Sequence, residues 1–394
     1  MRYLKTIISL VLSVVGLLIY FITIPRIDGD DLVQLTVLAG DDHSIVDYSF
    51  NGYIYNFSSF SLTEDDLLVT GTLPFLEKLD ATEDMDLMML TEDYPDFVYP
   101  LMYGPNIQSY AVSSDRDYLT SAHFEYQNSS YSDLYSRLYL RALNKETNEI
   151  IEDEIARNAG SNVYYASIYG VYEKYPEIRL LLETRAGGPR DNYDTDNGTY
   201  SLVSYNFETK SITEEILLET QDYLGTMLYS MVHKNQSREV FYSADSITQE
   251  PRTYIMNYET GQLTELETAY TGLFVSDDNR LYHIADDTLV EIDEEGTVVN
   301  EVDLSEDYKE LKNIDFESSI HYIYADKLFV LSNNHSDDYD ENLPISPTDL
   351  AIFNVSTGDL ITEAQFTYGE TNQMGAWNVD NVDIESISKS QSKD

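Results

Sequence analysis

The chain has no cysteine, a single tryptophan and few basic residues. The absence of cysteine among its 394 residues excludes disulfide bonds, thiol nucleophiles, thiolate metal sites and a lipid-modified N-terminal cysteine. Lysine and arginine number 23 against 71 aspartates and glutamates, which gives a formal net charge of −48. Because such a body repels phosphate groups, nucleic acid and anionic membrane surfaces are unfavourable partners. We expect most carboxylates to act in solvation; the alternative is cation binding.

The common catalytic motifs are absent as well. The sequence contains no Gly-x-Ser-x-Gly elbow, no phosphate-binding Gly-Lys-Ser/Thr loop and no dinucleotide fingerprint. None of the six histidines has a metal-ligand spacing, and three of them are predicted to be packed or surface residues of strands (His123, His283 and His321). A pair of carboxylates suited to glycoside hydrolysis could be chosen almost anywhere among the 71 acidic residues, so such a pair is no evidence for that activity. The sequence therefore favours a protein that is not an enzyme.

One long apolar segment, Ile7 to Ile24, lies near the N-terminus. Its 18 residues would span roughly 27 Å as a helix, close to the thickness of a bilayer core. Arg2 and Lys5 precede it and no small-x-small cleavage site follows, so we expect an uncleaved anchor rather than a signal peptide. The predicted organisation is a cytoplasmic N-terminus (1–6), a transmembrane anchor (7–24), a tether (25–31), an extracellular body (32–384) and a disordered tail (385–394).

A short phrase recurs through the last two-thirds of the chain. It reads Tyr205-Asn206-Phe207-Glu208-Thr209-Lys210-Ser211-Ile212, and related copies occupy 143–150, 256–263, 291–298 and 353–360. Each copy predicts the end of a strand, a tight polar turn and a new strand, with a further strand and a loop upstream. Turn positions 147, 209, 260, 295 and 357 recur at about 52 residues on average, a spacing typical of β-propeller blades.

The phrase aromatic-x-Asn-x-x-Thr-Gly-x-Leu resembles the outer-hairpin turn of bacterial β-propellers in the quinoprotein-like and WD-repeat-like group. The resemblance implies an all-β fold with a single propeller of about seven blades, in a range of six to eight, with about two of them in residues 32–121. The chain departs from WD repeats because its single tryptophan, Trp377, is not followed by aspartate. It also lacks the tryptophan motifs of quinone-binding enzymes, which argues against that cofactor. The alternative fold is an array of β-sandwiches.

In such blades the connections between second and third strands emerge on one face, here 128–136, 185–198, 246–251 and 335–347, and the tight turns lie on the other. Two of these loops are rich in carboxylates, and closely spaced Asp and Asn side chains can bind calcium. The candidate calcium ligands are Asp191, Asp194, Asp196, Asp337, Asp338, Asp340 and Asn342. Asp349 would take the twelfth position of such a calcium loop, but Leu343 stands where its glycine belongs. Solvated acidic loops are the favoured interpretation.

These features predict a single-pass protein of the cell membrane of a Gram-positive-like bacterium, with most of the chain outside. We expect a binding, sensor or accessory module whose partner is a protein or a cell-wall glycan. Clustered tyrosines could stack on a sugar, although strand alternation explains them more simply (Tyr164, Tyr165, Tyr169, Tyr172 and Tyr175). The alternatives are a glycan-active hydrolase or lyase with carboxylates in the propeller channel, and a calcium-dependent adhesion module.

Overall fold

A computed structural model shows a chain made mostly of antiparallel β-strands. It describes residues 33–41, 45, 48–54, 58–62, 67–70, 94–103, 107–114, 117–125, 137–156, 163–186, 198–220, 224, 232–234, 236–244, 250–270, 272–304, 320–333, 348–368 and 377–384. The predicted anchor, tether and tail lie outside these residues. No helix in the described part of the chain is long and apolar enough to cross a membrane.

Within the described residues the strands form six sheets, numbered here in chain order. Sheet 1 contains β2 (Tyr48–Ile54), β3 (Ser58–Leu62), β4 (Leu67–Thr70) and the last strand, β25 (Trp377–Ile384). Sheet 2 contains β5 (Ile107–Ser114), β6 (Tyr118–Glu125), β7 (Arg137–Asn144) and β8 (Glu149–Ala156), with β13 (Val232–Lys234) added beside β5. Sheet 3 contains β9 (Val163–Lys174), β10 (Glu177–Ala186), β11 (Gly198–Asn206) and β12 (Ser211–Thr220).

The remaining three sheets follow the same plan. Sheet 4 contains β14 (Arg238–Ala244), β15 (Pro251–Asn257) and β16 (Gln262–Glu265). Sheet 5 contains β17 (Phe274–Val275), β18 (Leu281–Ala285), β19 (Thr288–Ile292) and β20 (Val298–Asp303). Sheet 6 contains β21 (Ile320–Tyr324), β22 (Lys327–Asn333), β23 (Thr348–Asn354), β24 (Leu360–Tyr368) and the first strand, β1 (Val33–Gly40). This connectivity is the one expected of propeller blades.

The recurring phrase forms the tight turn between the last two strands of a sheet, as predicted. In sheet 3, the Asn206 side-chain Oδ1 accepts hydrogen bonds from the backbone N–H groups of Glu208 (3.0 Å) and Thr209 (2.9 Å). The backbone N–H of Lys210 then donates to the Asn206 carbonyl at 2.8 Å. The same closure occurs at Asn144 and Asn354, and at Asn257 the side chain accepts from the Thr260 N–H. In sheet 5 the Asp293 side chain accepts from the N–H groups of Glu295 and Thr297, and the Gly296 N–H donates to its carbonyl. The side chain thus replaces backbone acceptors inside the turn.

The final turn position takes a left-handed conformation in every copy. Gly261 and Gly358 have φ of 77° and 76°, and Lys210 and Asn148 adopt 55° and 56° at the equivalent position. At Gly358 a side chain would also meet the neighbouring sheet, because a Cβ there would lie 2.1 Å from the carbonyl oxygen of Asp303. Glycine at this position therefore serves both the turn and the packing of sheet 6 on sheet 5.

Apolar side chains are buried between neighbouring sheets. In sheet 3 the central strand carries Leu180, Leu181 and Leu182, which are all fully buried because both faces of the strand are covered. The outermost strand, β12, is exposed along its first six residues and is correspondingly rich in glutamate. A gradient from apolar inner strands to polar outer strands is what a ring of stacked sheets requires.

The two ends of the described chain close the arrangement. Strand β1 pairs antiparallel with β24 from Val33↔Tyr368 to Gly40↔Thr362, and β25 pairs antiparallel with β2. The described strands of residues 32–121 are shared among sheets 6, 1 and 2. The N-terminal strand β1 completes sheet 6, and the C-terminal strand β25 completes sheet 1. The predicted count of seven blades is not confirmed, since the described residues form six sheets.

Two further features were not predicted. An α-helix, α1 (Pro95–Tyr103), packs on sheet 2, where the buried Arg141 donates to the Phe97 carbonyl oxygen at 2.5 Å and stacks 4.9 Å from the Phe97 ring centroid. Strand β13 pairs in parallel with β5, so a segment lying between sheets 3 and 4 in sequence extends the edge of sheet 2. Both are tertiary contacts between segments far apart in the sequence.

We predict that replacing the turn asparagines destabilises the fold. Asn206→Ala or Asn354→Ala removes two hydrogen bonds to turn N–H groups, which should lower the free energy of unfolding by about 1–2 kcal/mol. Urea denaturation measures the change. Glu208→Ala in the same exposed turn is the control and should stay within about 0.5 kcal/mol. Equal losses for Asn206→Ala and Glu208→Ala would contradict this account of the turn.

Candidate functional site

A polar cavity of about 350 Å³ opens at the end of the sheets where the tight turns lie, here called the turn end. It is lined by side chains from sheets 3, 4 and 5, namely Tyr172, Ser237, Arg238, Asn257, Glu259, Asp278 and Asn279. Tyr172 lies near the end of β9, Arg238 begins β14, and Asn257 ends β15. The cavity thus forms where three sheets meet, and no single sheet contains it.

Backbone hydrogen bonds fix the walls of the cavity. The Ser237 N–H donates to the Asn279 side-chain oxygen at 2.7 Å, and the Tyr258 N–H donates to the Ser237 carbonyl at 2.8 Å. Arg238 also donates to the Asn279 carbonyl oxygen. Asn279 can accept both contacts because it sits at φ 63° in the β17–β18 turn, a conformation that asparagine tolerates well. The lining is therefore held by the turns themselves.

Charges of opposite sign pair around the cavity. Arg238 donates to Glu294 at 2.6 Å, and the Asn257 amide donates to the same Glu294 oxygen at 2.7 Å. Arg280 binds Asp278 at 2.6 Å. Four of the 23 basic residues of this very acidic chain border the cavity (Lys174, Arg179, Arg238 and Arg280). The cavity is consequently close to neutral on a body that otherwise repels anions.

Two cavity groups have shifted pKa values. Burial alone would raise the pKa of Asp278, but hydrogen bonds from Ser276 and Arg280 and the charge of Arg280 outweigh it, so the pKa is lowered. Burial and then the charge of Glu259, which accepts a hydrogen bond from the Tyr172 hydroxyl at 3.3 Å, raise the pKa of Tyr172. At neutral pH, Asp278 is thus an ionised acceptor and Tyr172 a protonated donor. Both groups can therefore form hydrogen bonds with a polar ligand.

A buried charge cluster lies on the same sheet as Tyr172, toward the opposite end of the strands. Glu183 and Arg185 are 0% and 1% exposed, and the Arg185 Nε donates to the Glu183 carboxylate at 2.6 Å. The hydroxyls of Tyr169 and Tyr200 each donate to that carboxylate at 2.9 Å. Burial and then the charge of Glu183 raise the pKa of both tyrosines, so they stay protonated. The cluster is a satisfied internal network between sheets 3 and 4.

Sequence reasoning found only part of this. All seven candidate calcium ligands lie outside the described residues, so the calcium prediction remains a prediction. Asp349 is described; it is buried in β23 and accepts a hydrogen bond from Gln365 at 2.7 Å. In the described part of the chain no group of three or more acidic or histidine side chains could hold a metal ion. The turn-end cavity was not predicted, and only Tyr172 had been noted as part of a tyrosine cluster.

The three histidines predicted to lie in strands, His123, His283 and His321, are in β6, β18 and β21. His283 is half-buried, and its ring centroid is 4.8 Å from that of Tyr270. His123 is buried and stacks on Tyr139, with ring centroids 5.3 Å apart, and His321 stacks on Phe274 at 5.5 Å. Burial, and for His123 also the charge of Arg141, lowers the pKa of each to about 4. Both histidines are therefore neutral packing residues at physiological pH.

The chain was compared with known proteins. No protein-family model and no curated protein matches it. Among solved structures, it is similar to an oligogalacturonate lyase from Vibrio parahaemolyticus, with 11% identity over 82% of this chain and 78% of that one and a TM-score of 0.31. It is also similar to an acylaminoacyl peptidase from Pyrococcus horikoshii, with 11% identity over 82% and 47% of the chains and a TM-score of 0.35.

A third similar structure is the apocarotenoid oxygenase of Synechocystis, with 10% identity over 84% of this chain and 60% of that one and a TM-score of 0.29. The chain thus spans about half to three-fifths of the length of the peptidase and the oxygenase. At these identities and TM-scores, the likeness supports no conclusion about substrate or activity.

We predict that breaking the buried Glu183–Arg185 pair is costly. Glu183→Gln leaves the guanidinium of Arg185 buried without its counter-charge, so the free energy of unfolding should fall by about 3 kcal/mol. The exposed pair Arg137–Glu154 supplies the control, because Glu154→Gln should change stability by less than about 1 kcal/mol. Urea unfolding of both variants checks this, and similar losses would contradict it.

We also predict that the two neutral histidines destabilise the fold in acid. Their folded pKa of about 4 lies below the unfolded value of 6.5, so the unfolded state binds more protons between these values and stability is lost as the pH falls through this window. Each histidine should account for about 2–3 kcal/mol between pH 7.5 and 4.5.

His321→Phe keeps a ring against Phe274 and removes the titration, so unfolding measured at both pH values should show a smaller loss in acid than the wild type. The acidic residues titrate in the same window and are common to both proteins. Tyr322→Phe on the same strand is the control and should keep the wild-type loss. An unchanged acid loss in His321→Phe would show that this histidine does not contribute.

Proposed function

We propose that this protein is a membrane-anchored extracytoplasmic β-propeller that acts as a binding module, with its ligand site in the turn-end cavity. The anchor is the apolar segment 7–24, and the short tether keeps the folded body near the membrane. The observation that carries the proposal is the chemistry of the cavity, where fixed donors and acceptors converge and the charges are already paired. Such a site binds polar ligands.

The ligand class follows from the charges and shapes of the lining. Arginine, asparagine and carboxylate groups are planar and can make paired hydrogen bonds with neighbouring hydroxyls, and the Tyr172 hydroxyl adds a further polar group to the lining. Three of the 23 basic residues precede residue 27, so residues 27–394 hold 20 basic against 71 acidic residues. Such a negatively charged body disfavours anionic polymers. A neutral saccharide unit of a cell-wall glycan therefore fits best.

Binding of neutral oligosaccharides tests the proposal. Isothermal titration calorimetry with soluble N-acetylhexosamine oligomers should show saturable binding, and uronic acid oligomers should bind more weakly. Tyr172→Ala should lower the affinity by about ten-fold or more, which corresponds to about 1.4 kcal/mol. The matched control is Tyr165→Ala, because Tyr165 is an exposed tyrosine of the same strand outside the cavity.

Several outcomes would overturn the proposal. Equal affinity for the wild type and the Tyr172→Ala variant would remove the cavity as the site. Shortening of the oligomers during the titration, followed by chromatography, would instead favour the glycan-active hydrolase or lyase. A rise in melting temperature on adding calcium, reversed by chelator, would support the calcium-dependent alternative.

A further inference from the structure

The first strand of the body enters at the end opposite the tight turns. Strand β24 begins at Leu360, just after the turn of sheet 6, and runs away from it to Tyr368. Because β1 pairs antiparallel with β24 in the register Val33↔Tyr368, Val33 lies at the far end of β24. Thr348, to which the acidic connection 334–347 returns, pairs with Phe366 at that same end. This end, where Asn333 and Thr348 border the segment 334–347, is called the loop end.

The turn ends of neighbouring sheets lie together, so this direction holds beyond sheet 6. The Asp277 N–H in the turn of sheet 5 donates to the Ile323 carbonyl beside the β21–β22 turn of sheet 6, at 3.2 Å. In the other direction, Asn279 of the same turn holds Ser237 at the start of β14. The turn ends of sheets 4, 5 and 6 therefore share one side of the molecule, which is also the side of the cavity.

Geometry limits how far the loop end can lie from the membrane. Only residues 25–32 separate the predicted anchor from Val33, and eight extended residues reach about 28 Å at most. The nine residues of β24 place the turn end roughly 30 Å beyond the loop end. A body attached in this way presents its loop end to the bilayer more readily than its turn end.

We propose that the loop end faces the lipid surface and that the turn-end cavity points away from it, toward polymer outside the membrane. This inference rests on the anchor of the proposed function and does not depend on the identity of the ligand. The short tether alone holds the loop end near the lipid, because the connections 187–197 and 334–347 are rich in carboxylates, which anionic headgroups repel rather than attract. The cavity is thereby kept clear of the lipid surface.

The absence of cysteine makes the orientation directly measurable, because a single introduced cysteine carries the only thiol label. Ala156→Cys and Thr367→Cys place a label at exposed positions of the loop end, at the ends of β8 and β24. Thr209→Cys and Thr357→Cys place it in exposed tight turns at the turn end. The full-length variants are labelled with a donor fluorophore and reconstituted into phosphatidylethanolamine–phosphatidylglycerol vesicles that carry acceptor-labelled headgroups.

Energy transfer to the lipid should be at least about two-fold more efficient from the loop-end labels, because the two ends of the strands are separated by roughly 30 Å. The reverse order would overturn the inference, and so would equal transfer from all four positions. Flotation of the same vesicles tests the anchor, on which both proposals rest. A protein that does not float lacks the anchor, which overturns both. Failure of the saccharide titration would leave the transfer result, and hence the orientation, standing.

Discussion

The side-chain closure of the tight turns is the constraint on which the rest of the structure depends. Each Asn or Asp at the end of a third strand accepts hydrogen bonds from the two or three N–H groups that follow, so the chain reverses in a fixed register. The register sets which residues of the last two strands face the neighbouring sheet. Because the turns recur at the same point of the sheets, they also align the ends of the sheets.

The fixed ends of the sheets create the cavity and its neutral charge. Turns of sheets 4 and 5 meet the end of β9. The basic residues there form ion pairs with Glu259, Asp278 and Glu294. Long-range repulsion from an acidic body and short-range pairing inside the cavity act together. The first disfavours anionic ligands, and the second leaves hydrogen-bonding edges in fixed positions.

Close packing between sheets 3 and 4 shows how tightly the fold is specified. The Tyr258 hydroxyl, which donates to Glu239 at 2.6 Å, approaches the backbone of β9 so closely that a Cβ at Gly170 would lie 2.0 Å from it. Nearby, the Glu183 carboxylate is satisfied by Arg185, Tyr169 and Tyr200. The sequence shows no sign of these contacts, since their members are separated by up to 88 residues and belong to no motif.

The sequence by itself determined the mostly β character, the turn positions and the strand–turn–strand plan, because the Asn-x-x-Thr-Gly signal is local and its hydrogen bonds span only a few residues. It also yielded the anchor prediction and the acidic charge, which are properties of composition. Only the tertiary structure decided that β1 completes sheet 6 and β25 completes sheet 1, that β13 joins sheet 2, and that Tyr172, Arg238 and Asp278 line one cavity. These features depend on which segments meet after distant parts of the chain pack, and burial and charge pairing between sheets leave no periodic trace in the sequence.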